Sequence, residues 1–387
     1  MIWIIGLLVV ILACAALWRY VRSIGDESDE IVPNQLIVQF HADTASNRIA
    51  EIHKDRQCEV LLTDDTIGFV LLRTKQSVEQ ALQTYLKLVE IDYAEPNYRF
   101  HALDVTPNDP HFSTYQYGPQ LIHAPEAWEL TTSSTDIRIA IVDTGIQTDH
   151  PDLSDKLAGG YDFVSNGPVQ SDPNGHGTHV AGIAAAVTNN RLGIAGIAPA
   201  ASILPVRVLD QSGTGTLDQV ARGIIFAAQQ GAQVINLSLG APYNSNLLQR
   251  AITYACSLGA VVVAGVGNDN SRTPIYPAAY SDVIAVAAVN EHDRKSIFSN
   301  YGEWVDVAAP GSEILSTFLN GNYAYLSGTS MAAPHVAGLA ALLASQGRRN
   351  EEIRSVIVST ADPILGTGMH WVYGRINANR AVRSGKD

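Results

Sequence analysis

Apolar and polar positions are arranged in three different ways along this chain, and each arrangement predicts a different structure. Residues 2–18 are apolar without interruption, the first charges being Arg19 and Arg22. That length suits either a signal-peptide core or a membrane-spanning helix. Ala13-Cys14-Ala15 offers a small-x-small cleavage pattern, but no Lys or Arg precedes the run. The basic pair by itself favours a cytoplasmic location for the segment after it, so residues 1–22 read as a signal peptide or a membrane anchor, with orientation open.

From Ile31 the period shortens to two. Residues 35–40, 58–62, 68–72 and 89–98 predict strands. Between them, 45–54 predicts a short helix, and 77–88 a longer one with Val78, Ala81, Leu82, Tyr85, Leu86 and Leu88 at helical spacing. Ser77 is placed to cap that helix. A βαββαβ order within about 70 residues is the ferredoxin-like α+β arrangement. The module spans residues 31–104 and is either a small binding domain or a propeptide.

Beyond residue 105 the strands become continuous apolar runs, at 138–142, 202–208, 233–237, 260–264 and 283–288, separated by helical stretches such as 217–230 and 246–257. Buried strands alternating with helices predict an α/β domain over 105–387, with a mostly parallel central sheet flanked by helices. The stretch 371–382 reads as its closing helix.

Composition narrows the classes. With 46% hydrophobic and 16% charged residues, the chain has ample material for a full core and is not a disordered one. The formal charge of -13 makes a nucleic-acid partner held by phosphate neutralisation a poor fit. Three cysteines, Cys14, Cys58 and Cys256, are too few and scattered for a disulfide framework.

In open α/β sheets reactive groups collect at the carboxyl ends of the strands, and four segments place unusual polar residues there. In Ala140-Ile141-Val142-Asp143-Thr144-Gly145 a carboxylate closes a buried strand, which demands a partner. Asp-Thr-Gly also occurs in turns and in aspartic peptidases, but no second such segment is present to make a dyad. In Asn174-Gly175-His176-Gly177-Thr178-His179 two glycines flank an imidazole. A capping or core histidine is the plain alternative. Zinc through His176 and His179 lacks the Glu of His-Glu-x-x-His. In Gly265-Val266-Gly267-Asn268 a side-chain amide stands on a glycine-preceded loop, either a turn residue or a donor to an oxyanion. In Gly328-Thr329-Ser330-Met331-Ala332-Ala333-Pro334 a serine opens a helix of small residues, with Pro334 near its first turn. It is either a cap or a nucleophile in the positive end of the helix dipole.

In the order Asp143, His176, Asn268, Ser330, these segments together resemble the subtilisin-like serine peptidases, from about Thr106 to Ala381. Within them they are most similar to the thermitase branch, through Thr106-Pro107-Asn108-Asp109-Pro110 and Ala184-Ala185-Ala186-Val187-Thr188-Asn189-Asn190. The resemblance implies a serine endopeptidase of broad specificity. Ser330 would be its nucleophile, His176 its general base and acid, Asp143 the orienting carboxylate and Asn268 an oxyanion donor. Residues 31–104 are similar to the inhibitory propeptides that precede such enzymes. The implication is a zymogen whose own propeptide inhibits it and is cut by self-processing between His101 and Val105.

The resemblance further implies a substrate cleft. Ser238, Leu239 and Gly240 would pair with an extended polypeptide, Gly213 and Gly215 would form the opposite wall, and Ala264, Gly265 and Ile275 the primary pocket, suited to apolar residues. It implies Ca2+ held by Asp109, Asp152, Asn190 and the carbonyls of Val187, Leu192 and Ile194, a donor mix right for a hard cation. At the branch's second calcium site Asp162 is retained, while Ser165 and Gly167 stand where acids are expected. Val180 replaces a cysteine of that branch, which leaves Cys256 as a core thiol. A monomer is expected, secreted or held to the membrane by the N-terminal segment, with its catalytic domain extracytoplasmic. Two rivals remain: a catalytically silent peptide binder, and a lipase-type hydrolase, whose Gly-x-Ser-x-Gly elbow is broken here by Ala332.

Overall fold

The computed structural model describes residues 31–99, 106–169 and 171–385. The N-terminal apolar stretch and the expected cleavage region at 101–105 lie outside them. Among the described residues no helix is long and apolar enough to cross a membrane. The chain divides into two compact units, Met1–Leu103 and Asp104–Asp387.

The first unit runs β1 (Ile31–Phe40), α1 (Ser46–Asp55), β2 (Glu59–Asp64), β3 (Phe69–Arg73), α2 (Val78–Tyr85) and β4 (Ile91–Tyr98). The order β2-β3-β1-β4, antiparallel at every pairing, is that of a ferredoxin-like sheet. Alternation along β1 and β3 turns Leu36, Val38, Phe40, Val70 and Leu72 to one face, where Ile52 of α1 and Ala81 and Tyr85 of α2 close the core. The Ser77 hydroxyl accepts from Gln80 N–H at 3.2 Å and caps α2 as expected. That helix ends at Tyr85, three residues before the predicted end. Pro96 is tolerated because β4 is an edge strand.

The second unit is built on eight parallel strands in the order β14-β11-β10-β9-β8-β5-β7-β6. They are β5 (Arg138–Asp143), β6 (Tyr161–Asp162), β7 (Ser202–Arg207), β8 (Val234–Leu237), β9 (Val261–Gly265), β10 (Val283–Val289), β11 (Val307–Pro310) and β14 (Gly374–Arg375). Between the last two lies an antiparallel hairpin, β12 (Ile314–Phe318) and β13 (Asn322–Leu326). Alternate strand residues feed two cores. Ile139, Ile141, Val261, Val263 and Val286 pack with α3 (His176–Ala185) and α6 (Thr329–Ala344). Ala140, Val142, Val262, Ala264 and Ala285 pack with α4 (Leu217–Gln229) and α5 (Asn246–Ser257). After β7 the chain crosses β5 to continue at β8, so the sheet order reverses around β5, where such folds open a crevice.

Two expectations need correction. Residues 371–382 are not one helix: β14 occupies 374–375 and the closing helix, α8 (Ala378–Arg383), follows α7 (Asn350–Ser359). Gly374 has φ +126, and a Cβ there would lie 2.1 Å from Asp362 O, while Arg375 is ion-paired to Asp293 at 3.0 Å and Asp362 at 2.6 Å. Those contacts hold the segment extended. Cys256 is half-buried at the edge of its core, with Sγ 3.7 Å from Asp282 O. Burial first, then the nearby Asp282 charge, pushes its thiol up to about 11.

Candidate active site

The site is assembled where β5, β8 and β9 end and α3 and α6 begin. Asp143, the last residue of β5, is fully buried; its Oδ1 accepts from Thr144 N–H at 2.7 Å and lies 2.8 Å from His176 Nδ1. A buried carboxylate has only acceptors to offer, so Nδ1 carries the proton and Nε2 is left as the base. Burial alone opposes a charge on His176, but the attraction and hydrogen bond of Asp143, with a further pull from Asp172, outweigh it. The imidazole is held above its ordinary value. Its side chain remains 27% exposed, open to a substrate.

The close approach of α3 to β5 depends on glycine. A Cβ on Gly177 would sit 2.1 Å from Gly145 O and 3.1 Å from Asp143 Cβ, and one on Gly175 (φ +98) would meet the Phe318 ring at 2.6 Å. Sequence reasoning missed Asp172. This buried carboxylate accepts from the N–H groups of Asn174, Gly175 and Thr178 and from the hydroxyls of Thr144 and Thr178, all within 2.7–3.0 Å. It fixes the histidine loop to the start of α3 and to the residue beside Asp143. An Asp before Pro-Asn-Gly at a helix start was the signal available.

His179 does not join His176 as a metal pair. Its Nε2 is 2.9 Å from Ala324 O, and burial pushes the imidazole down to about 4.

On the far side, α6 begins at Thr329 after Gly328, so Ser330 is its second residue rather than its cap, and Pro334 falls in the second turn. Proline lacks the N–H that would bond the Ser330 carbonyl. That carbonyl instead accepts from the Ser238 hydroxyl at 2.8 Å. The Ser330 hydroxyl donates to Ser238 O at 3.3 Å, not to His176. Asn268 Oδ1 accepts from Thr329 N–H at 2.8 Å, which aims its Nδ2 the other way. A point one bond out from Gly328 Cα lies 3.6 Å from both Asn268 Nδ2 and Ser330 N. Two donors thus converge on one small space.

A cleft of about 730 Å3 runs past His176 and is lined by Gly213, Gly215, Ser238, Leu239 and Gly240, five of the expected wall residues. Leu217, Val220, Tyr243, Leu248 and Tyr276 add an apolar lining that was not anticipated. Ala264, Gly265 and Ile275 are not among its lining residues. Ala264 is fully buried in the core, and the end of β9 packs so tightly on α6 that a Cβ on Gly265 would be 2.9 Å from Thr329 O. Ile275 stands behind the wall, its Cγ2 filling the space beside Gly240.

Of the expected cation ligands, the side chains of Asp109 and Asp152 are both hydrogen-bonded to Asn190. Asp109 and Asp152 are buried at 3% and 0% exposure. Asp109 accepts from Asn189 and Asn190 N–H at 2.9 and 3.3 Å; Asp152 accepts from Asn190 Nδ2, Ile194 N–H and Tyr323 Oη at 2.6, 3.1 and 2.9 Å. Val187 N–H bonds Asp152 O, and Leu192 N–H bonds Asn190 Oδ1. Burial raises both carboxyls above the usual range, and for Asp109 the charge of Asp152 adds to it. Two such carboxylates served only by neutral donors are a fitting set for a hard cation, once the Asn190 amide turns its oxygen inward. Asp162, by contrast, is committed to Arg207 at 2.8 Å and to the Ser165 hydroxyl at 2.6 Å.

Comparison with known proteins finds matches to both units. The Subtilase family model matches residues 134–382, and a Fervidolysin N-terminal prodomain model matches residues 22–97. A Thermophilic serine proteinase from Bacillus sp. (strain AK1) is 49% identical over 93% of this chain and 90% of its own. Thermitase from Thermoactinomyces vulgaris is 60% identical over 72% of this chain and 99% of its own. A solved protease structure from Pseudoalteromonas arctica PAMC 21717 has a TM-score of 0.66 at 35% identity, covering 72% of this chain and 98% of that one.

Proposed function

This chain belongs to the subtilase family, as a serine endopeptidase with an N-terminal prodomain, and from that premise we propose the chemistry its residues perform. Ser330 Oγ attacks the carbonyl of a peptide bond lying across the cleft. For this the hydroxyl turns from Ser238 O towards His176 Nε2, which takes its proton and later returns it to the leaving amine. Asp143 keeps Nδ1 protonated and stabilises the imidazolium. The negative oxygen of the tetrahedral intermediate is received by Asn268 Nδ2 and Ser330 N–H. Water then releases the acyl group. The observation that carries this reading is the convergence of those two donors beside Gly328.

The cleft walls support binding of an extended polypeptide as an added strand, with main-chain bonds to residues 213–215 and 238–240 and apolar side chains set among Leu217, Val220 and Leu248. We assign a structural calcium ion to Asp109, Asp152 and Asn190 with the carbonyls of Val187, Leu192 and Ile194. Bound there, it would neutralise buried carboxylates and take no part in peptide cleavage. Residues 31–104 act as the inhibitory propeptide, removed by the enzyme itself between His101 and Val105, and residues 1–22 direct export or anchoring.

The test is Ser330→Ala. The variant is expected to fold, to lose casein hydrolysis and fluorophosphonate labelling, and to retain its propeptide when expressed alone. An unchanged rate of casein cleavage or of processing would overturn the assignment.

A further inference from the structure

The oxyanion donor Asn268 stands on an irregular loop after β9, tied to β10 by Val266 N–H on Val286 O at 3.2 Å and to α6 by Gly267 N–H on the Thr329 hydroxyl at 3.1 Å. Gly267 has φ +98 and Asn270 φ 49, so residues 266–271 wind irregularly and need support from elsewhere. One buried side chain supplies three further ties. Asn300, with no exposed surface, lies in the connection between β10 and β11. Its Nδ2 donates to Val266 O at 3.0 Å and its backbone N–H to Gly267 O at 2.9 Å. Its Oδ1 accepts from Asp269 N–H at 3.0 Å and Ser271 N–H at 2.9 Å. These contacts fall on both sides of Asn268 without involving Asn268 itself. Lys295 adds an outer tie, its Nζ donating to Asn270 Oδ1 at 2.8 Å and to Ser296 O and Ser299 O.

We infer that Asn300 is a positioning residue for the oxyanion site: it grips the loop before and after Asn268, so that the amide is already aimed when the tetrahedral intermediate forms. The geometry suits that task better than general bracing. Asn268 is held in front by Thr329 N–H and its neighbours are held behind by Asn300, so the amide plane has little freedom left. Preorganised donors act because they need no reorganisation as charge develops, and a loosened loop loses that advantage while substrate binding in the cleft persists.

The inference rests on the proposed role of Asn268, and the test separates the two. Asn300→Ala and Asn300→Ser are made singly and combined with Asn268→Ala, and kcat and KM are measured on an apolar peptide p-nitroanilide beside thermal unfolding. Asn268→Ala is expected to lower kcat about 10²- to 10³-fold. Asn300→Ala should lower kcat about ten- to a hundredfold with KM within about threefold, and should change kcat by less than about threefold once Asn268 is gone. If Asn300→Ala fails to fold, the smaller perturbation of Asn300→Ser carries the same cycle. An unchanged kcat in a folded Asn300 variant, or an equal loss with and without Asn268, overturns the inference. An unchanged kcat in Asn268→Ala alone removes the oxyanion reading, and this one with it.

Discussion

Asp143 shows how one buried charge sets the behaviour of its neighbours. With no exposed surface, its carboxylate faces the imidazole of His176 at 2.8 Å, and the net effect is an imidazole that protonates more readily than a free one. In the proposed mechanism the base must be neutral to accept the Ser330 proton. kcat/KM is therefore expected to rise with pH and to level off above a midpoint higher than the ordinary 6.5, read from a pH–rate profile. Asp143→Asn removes the main attraction and leaves burial opposed only by the pull of Asp172. Its midpoint should fall below that of the parent, and kcat should drop about 10⁴-fold as the wrong tautomer is favoured. The same shift has a consequence for folding. The protonated pair contributes stability below the pKa of an unfolded imidazole, and that contribution is lost as pH rises through the folded value.

The two helices that carry His176 and Ser330 are packed by residues chosen for what they lack. Gly177 has no Cβ, which lets α3 meet the end of β5, and Pro334 has no N–H, which frees the Ser330 carbonyl for Ser238. Gly177→Ala must push the Gly145 carbonyl away from a 2.1 Å contact and is expected to cost about 1–3 kcal/mol or more. Gly231→Ala, at φ +73 but with nothing within 4 Å, should cost only about 1–2 kcal/mol of backbone strain. Thermal unfolding compares the two, and activity should fall only in the first. Elements of this kind were partly legible in the sequence. The strands β5, β7, β8, β9 and β10 are apolar runs long enough to declare themselves, and the order of the first unit followed from simple periodicity. The two-residue β6 and β14 carry no period at all, and β14 is held by its pairing with β11 and by the contacts of Gly374 and Arg375. Asp172 went unread because its five donors come from four other residues that only the folded loop brings together. The rotamer that points Ser330 at Ser238 has no trace in the sequence, and the roles of the four catalytic candidates became legible only from their joint order.

At the scale of the whole catalytic unit, the question is what balances Asp109 and Asp152, two buried carboxylates drawn from segments far apart in sequence. Their neutral partners leave the negative charge in place, and burying it costs several kcal/mol without a cation. A calcium ion there would tie the start of the unit to residues 187–194 and to the turn after β5. Its removal with a chelator should lower the thermal midpoint, the loss approaching about 2.7 kcal/mol when the starting calcium was about 100 times its Kd. Asp152→Asn separates this from a general salt effect. The variant keeps the shape and gives up a buried charge, so without calcium it should unfold no earlier than the parent. With calcium it should gain little, because the ion has lost a carboxylate, and the two proteins should exchange rank as calcium is added. If the parent's midpoint is indifferent to calcium while Asp152→Asn is destabilised at every concentration, the carboxylates serve only their hydrogen bonds, and the cation assignment fails.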